Sequence, residues 1–213
     1  MALNLSSKYL GFPMQQNSLI ENINKVCLVD DDSEILESLE RFFSLSGFEI
    51  KTFSSAIDYL EQLEENGDCL ICDIAMEEMD GLELQRRLNK LQHLQPTIFI
   101  TGHGTINMAV EAMKLGAFDF IQKPFNPELL LEKVLLAIES YRDRMKILSK
   151  YKTLTNREIG VFKCVTRGLS NKQISDELFM AGSTVEAHRS KVMKKMAAKS
   201  LPDLVKMSVE LKL

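Results

Sequence analysis

No uninterrupted apolar run in the sequence approaches the ~20 residues that cross a bilayer, so a membrane span is not expected. No basic stretch followed by an apolar one stands at the start, so a secretory leader is not expected and a cytoplasmic location is. Cysteine is scarce, with four residues in 213. Cys27 and Cys164 fall in apolar runs. Cys69 and Cys72 form a C-x-x-C inside a predicted strand, where positions three apart face opposite ways. That excludes a shared metal or an easy bridge, and buried free thiols are the expectation. His188 has no partner at ligand spacing, so a packed or phosphate-contacting histidine is expected there.

What remains is ordinary globular composition, 45% hydrophobic and 26% charged. The length suits one domain, or two small ones of roughly 100–150 residues. Charge divides the chain. From Lys150 onward 13 basic side chains face 6 acidic ones, a balance of +7, and because the whole chain is −4 the front carries −11. An acidic front and a basic back suggest two domains, the second facing a polyanion.

The front alternates strand and helix patterns. Strands are predicted at Val26–Val29, Phe48–Phe53, Cys69–Cys72, Thr97–Ile100 and Phe118–Ile121. Helices are predicted from Ser33 to Gly47, from Ser55 toward Asn66-Gly67, from Gly81 to His93, from Ile106 to Leu115 and from Glu128 to about Leu148. Asn126-Pro127-Glu128 opens the last one with a cap, a first-turn proline and a helpful carboxylate. Five strands alternating with five helices predict a doubly wound five-stranded parallel sheet. Met1 to Asn24 shows no clear period and is predicted as an extension, with a short helix at 19–22. Ser149–Lys152 is the linker candidate. The tail has only short helical patterns. Thr155-x-x-Glu158 and Ser170-x-x-Gln173 are capping boxes, Ser183-x-x-Glu186 is a third candidate, and Ser200 with Pro202 and Asp203 opens a fourth helix.

Asp73 closes the apolar run Cys69–Cys72, which places a carboxylate at the rim where open α/β sheets keep their chemistry. Asp30 and Asp31 follow one strand, Thr101 another and Lys123 a third. Carboxylates at neighbouring strand ends can hold Mg²⁺, which takes oxygen ligands. A carboxylate nucleophile, a metal, a hydroxyl and an ammonium together make a phosphoryl-transfer site. A phosphohydrolase of the aspartyl type would want a second acid two residues after the nucleophile, and that position is Ala75. A flavin module would want a Gly/Ser/Thr-rich loop after the first strand, where this chain has Asp30-Asp31-Asp32.

Val29-Asp30-Asp31, Asp73 with Met79 and Gly81, Thr101-Gly102-His103-Gly104, the run Ala109 to Phe120, and Lys123-Pro124-Phe125 resemble a response-regulator receiver domain of the FixJ/NarL type. The resemblance implies a flavodoxin-like receiver. It implies a phosphoryl group accepted on Asp73 from a sensor histidine kinase. It implies Mg²⁺ held by Asp31, Asp73 and the carbonyl of Ala75, with Asp30 acting through water. Thr101 and Phe120 would be the switch pair, and Lys123 would stabilise the phosphoryl oxygens. Two departures stand out: Glu77 occupies a position where receivers usually have proline, and Ala75 one where close relatives often have arginine. Glu77 leaves open an atypical receiver that controls DNA binding without phosphorylation.

The tail resembles the LuxR/NarL-type helix-turn-helix domain through Leu154-Thr155-x-Arg157-Glu158, Gly168 to Ile174, Leu178, Thr184 to Arg189 and Lys195-Met196. Ile174, Leu178, Val185, Val192 and Met196 have the spacing of a small core. A helix from Ser183 to Ala197 would then enter the major groove. Glu186, Ala187 and Ser190 match base-facing positions of the family. Arg189, Lys191 and Lys194, with Lys172 and Thr184, are phosphate candidates. Ala181 stands where relatives place a Ser cap, so Ser183 is expected to cap the helix and tie up Glu186. The expected layout is an extension (1–24), a receiver (25–140), a helical linker (141–153) and a four-helix DNA-binding domain (154–213). The resemblance implies a transcription regulator, not an enzyme, that homodimerises on activation and binds double-stranded DNA, with RNA polymerase a further partner.

Overall fold

A computed structural model describes residues 23–63, 67–102 and 104–211. The predicted helix at 19–22 and His103 lie outside the described residues.

Five parallel strands form the centre: β1 (Lys25–Val29), β2 (Glu49–Phe53), β3 (Cys69–Asp73), β4 (Thr97–Thr101) and β5 (Asp119–Gln122). Their order is β2-β1-β3-β4-β5. Helices α1 (Ser33–Leu45), α2 (Ala56–Glu61), α3 (Gly81–Lys90), α4 (Ile106–Lys114) and α5 (Pro127–Lys152) make the crossovers and the last cover. A sheet covered on both faces needs strands apolar on both sides, and β3 and β4 are buried at every position. Alternate residues feed two cores. Cys27, Val29, Leu70, Cys72 and Phe99 enter one, with Tyr59, Leu84 and Leu88. Val26, Leu28, Cys69, Ile71, Ile98 and Ile100 enter the other, with Phe43 and Val134. Cys69 and Cys72 therefore lie on opposite faces, and all four cysteines are free and buried.

The tail folds as α6 (Asn156–Thr166), α7 (Asn171–Leu178), α8 (Gly182–Met196) and α9 (Leu201–Glu210) around a third core of Val161, Phe162, Ile174, Val185, Val192, Met196 and Leu204. The capping boxes at Thr155 and Ser170 form, and Ser200 caps α9 through Asp203 N–H.

Several boundaries differ from expectation. α2 ends at Glu61 with Gln62 as its C-cap, short of Asn66-Gly67, and residues 64–66 lie outside the described residues. α3 stops at Lys90 because Gln92 turns left-handed at φ 55°. α5 does not end near Leu148 but runs through the linker candidate to Lys152, capped by Thr153. Ile147 and Tyr151, one turn apart, pack onto the third core and hold those turns in place. Ser183 is not the cap of α8. The N-cap is Ala181, without a side-chain bond, and its carbonyl already accepts from Thr184 and Val185 N–H. Burial of Val185 sets the rotation of the helix, which puts Ser183 inside the first turn and leaves Glu186 untied and exposed.

Candidate functional site

Strand order decides which acids meet. β1 and β3 are neighbours, with Val29 opposite Cys72, so Asp30 and Asp73 come side by side at the C-terminal rim. β3 pairs with β4, setting Asp73 opposite Ile100 and Thr101 one residue beyond. Lys123, just past β5, donates its N–H to the Thr101 carbonyl at 2.8 Å. Its Nζ lies 2.7 Å from Asp30 Oδ2 and 2.7 Å from Asp73 Oδ1. Asp30 and Asp73 are 2% and 4% exposed, too buried to be mere solvated strand ends. Burial pushes the Asp30 carboxyl up, against the bond from Lys123. Burial also pulls the Lys123 ammonium down, but its hydrogen bonds to Asp30 and Asp73 outweigh that, and the net shift is upward.

Asp31 stays exposed at the rim, and its Oδ2 accepts from Glu77 N–H at 3.3 Å. Asp73 Oδ2 accepts from Ala75 N–H at 2.5 Å. These bonds fold the loop after β3 over the site, with Met76 and Met79 buried beneath it. Glu77 and Glu78 point outward, and Glu78 takes φ 58°. Gly81 is required here. A Cβ on it would sit 2.4 Å from the Asp73 carbonyl oxygen, so only glycine lets α3 start this close to the end of β3. Asp32, the third acid of the run, serves α1 as its N-cap, accepting from Glu34 and Ile35 N–H.

Thr101 is fully buried and Phe120 half-buried. A Cβ on Gly104 would lie 2.9 Å from Thr101 Cγ2 and 3.0 Å from Phe120 Cζ. The threonine methyl and the ring thus crowd the same stretch of backbone.

The donors at the rim are all oxygens, three carboxylates against one ammonium, which suits a hard divalent cation. Among the described residues no three His, Cys, Asp or Glu side chains are gathered closely enough to clasp a metal. The acids fit Mg²⁺ in kind, with Lys123 bridging two of them.

In the tail, Thr184, Glu186, Ala187, Ser190, Lys191 and Lys194 are exposed on α8, and Lys172 is exposed at the start of α7. Arg189 is half-buried, and its Nη1 donates to Asn171 Oδ1 at 2.9 Å. His188 is half-buried, with Nδ1 enclosed and unpaired. Sequence reasoning missed Asn171 as the brace of Arg189, and it missed Lys195, which ion-pairs with buried Glu158. No local pattern joins residues 37 positions apart.

The response regulator receiver domain family matches residues 26–135, and the luxR family of bacterial regulatory proteins matches residues 152–208. The chain is a response regulator. It is similar to response regulator protein TmoT of Ectopseudomonas mendocina, 40% identical over 88% of this chain and 89% of that protein. It is similar to nodulation protein W of Bradyrhizobium diazoefficiens, 42% identical over 86% of this chain and 84% of that one. Among solved structures, response regulator StyR matches with TM-score 0.54 and 36% identity, over 88% of this chain and 99% of that one. Full-length FixJ from B. japonicum matches with TM-score 0.53 and 34% identity, over 89% and 97%. The response regulator is thus a transcription regulator controlled by phosphorylation, not an enzyme, and its two modules imply a kinase and DNA as partners. Among the described residues no helix is long and apolar enough to cross a membrane.

Proposed function

We propose that Asp73 accepts the phosphoryl group of a sensor histidine kinase and that this drives homodimerisation and DNA binding through α8. The observation that carries the reading is the buried Asp30–Lys123–Asp73 cluster, two carboxylates on one ammonium at the C-terminal rim. An Asp73 carboxylate oxygen attacks phosphorus, a P–O bond forms, and the donor's P–N bond breaks as the kinase histidine leaves. Lys123 stays close enough to balance the charge added at Asp73. Asp31, Asp73 and the Ala75 carbonyl, with Asp30 through water, would hold Mg²⁺. When bound, Mg²⁺ neutralises developing charge on the phosphoryl oxygens. Incubation with acetyl phosphate and Mg²⁺, read by intact mass, tests the assignment. The wild type should gain one phosphoryl group and Asp73→Asn none; a phosphorylated Asp73→Asn protein would overturn it.

Phosphorylation adds charge and acceptor oxygens beside Thr101. Its hydroxyl moves toward them, the methyl withdraws from Gly104, and the Phe120 ring turns inward. The face altered is that of α4, where Ile106, Val110 and Met113 are exposed at 83%, 47% and 51%. Three apolar side chains at helical spacing suit a second copy of the chain. Dimerisation would set two α8 helices for two half-sites, turning two weak contacts into one strong one. Glu186, Ala187 and Ser190 would face bases. Lys172, Thr184, Lys191 and Lys194 would face phosphates, with Arg189 oriented by Asn171. RNA polymerase is the further partner of a regulator bound in this way. Residues 25–140 serve as receiver, 141–153 as helical connection and 154–213 as DNA-binding domain.

A further inference from the structure

Glu158 is a carboxylate only 3% exposed in a small core. Its Oε2 accepts from Thr155 N–H at 2.8 Å, which closes the cap of α6, and from Lys195 Nζ at 2.6 Å. A buried charge is tolerated only when paired and hydrogen-bonded. The cap itself does not need the lysine, because a capping box closes with its own two residues. The Ser170–Gln173 box on α7 does so with a neutral side chain. The ion pair therefore does something beyond capping.

Lys195 Nζ also donates to the Thr153 carbonyl at 3.0 Å. Thr153 is the C-cap of α5. One ammonium, itself carried on α8, thus bonds to the end of α5 and to the start of α6. Other contacts tighten the junction. Ile147 and Tyr151 of α5 pack onto the third core, and the Tyr151 ring meets Phe162 edge-on at 5.3 Å. The neighbouring Lys194 is exposed, whereas the Lys195 side chain is about two-thirds covered, at 34% exposure. Two adjacent lysines on one helix therefore do different work. A side chain that donates to two separate acceptors at once fixes a distance between them, which a single pair does not.

We propose that Lys195 is a positioning residue for DNA reading: it pins α8 to the end of α5, so that the receiver's last helix and the DNA-reading helix turn as one body. The inference rests on α8 being the DNA-reading helix. The pin gives movement of the receiver a direct route to the bases, with no slack segment between.

The test uses the full chain and a labelled duplex enriched by the wild type from a random-sequence pool. Lys195→Met alone would strand a buried charge on Glu158, so the main variant is the double change Glu158→Gln with Lys195→Met, which removes both charges. Lys195→Arg is the rescue and Lys194→Ala the comparator. Glu158→Gln alone keeps a cap acceptor and weakens the pair. Affinity is measured across a salt series, at a temperature where circular dichroism shows each variant folded. The double variant should bind about ten-fold more weakly, the scale of one lost charge-assisted bond. Its slope against salt should match the wild type, and its preference over an unselected duplex should shrink. Glu158→Gln should move the same way by a smaller factor, and Lys195→Arg should restore most of the loss. Lys194→Ala should lower the salt slope by about 0.9 instead. Wild-type affinity in the folded double variant would reduce the pair to a stabilising role and overturn the proposal. A salt slope lowered by about 0.9 in that variant would overturn it too, making Lys195 a phosphate contact. A wild type that enriches no duplex would overturn the DNA reading of α8 and the pin with it.

Discussion

At the residue scale, Asp30 is held where an ionised carboxylate is least comfortable. It is 2% exposed and lies beside Asp73, with one ammonium between them. Such strain is the mark of a site kept for function rather than stability. Asp30→Asn should raise the stability of the metal-free protein by about 1 kcal/mol while abolishing Mg²⁺-dependent phosphorylation. Urea unfolding without Mg²⁺ and intact mass with it read the two effects; a destabilised variant would show that the charge is compensated locally. Gly81 carries the opposite logic. Its missing Cβ lets α3 approach the Asp73 carbonyl, and a Cβ would sit 2.4 Å away. Gly81→Ala should cost about 1–3 kcal/mol, the usual cost of forcing atoms into a filled site, measured by the same unfolding. Glu158 provides a pH signature. Its bonds to Lys195 and Thr155 N–H hold the carboxyl down at about 2, against an ordinary value of 4.5. A depressed acid lends stability above its unfolded value and loses it as pH falls toward its folded value. Stability should therefore decline between pH 4.5 and about 2, and Glu158→Gln should flatten part of that decline.

Among the elements, α5 runs past its expected end near Leu148 to Lys152, within the helical linker expected over 141–153. Its amphipathic pattern weakens after Ser140, and Ser149–Lys152 reads locally as a polar linker. The turns persist because Ile147 and Tyr151 find the third core, and tertiary packing outweighs weak local preference. Ser149→Pro separates the two cases. In a flexible linker a proline is tolerated, whereas inside a helix it should cost about 3 kcal/mol or more. Thermal unfolding followed by circular dichroism should show that loss concentrated in the tail, whose core α5 completes. The start of α8 follows the same rule. The capping pattern favours Ser183, but Val185 is buried in the core, and the helix begins two residues earlier on an uncapped Ala181. Without a side-chain cap the first turn relies on Val185 for its hold. Ala181→Ser should therefore stabilise the tail by about 1 kcal/mol, provided α8 keeps its present start.

For the whole molecule, the charge division acts at a distance. The tail carries +7 from Lys150 onward, and Lys172 on α7 with Lys191 and Lys194 on α8 are among its exposed basic side chains. DNA affinity should fall steeply as salt rises, with a slope near −0.9 for each phosphate neutralised; a binding curve insensitive to salt would count against the interface. The link between the rim and dimerisation is measured by sedimentation velocity with and without beryllofluoride. The wild type should shift toward dimer with the phosphate mimic and Thr101→Ala should not. A variant that dimerises as readily would remove Thr101 from the relay.

The sequence alone determined the alternation of strand and helix, the division of charge and the identity of the rim residues Asp30, Asp73, Thr101 and Lys123. These rest on short-range patterns: apolar runs that end in a polar residue, capping boxes and local motifs. Only the tertiary structure decided that Lys123 bridges Asp30 and Asp73, that Gly81 must lack a side chain, and that Lys195 joins α8 to α5 and α6. Each of those contacts links residues far apart in the chain, or depends on how closely two backbones approach. Parallel strand order and core packing set such distances, and neither is written in the spacing of any one segment.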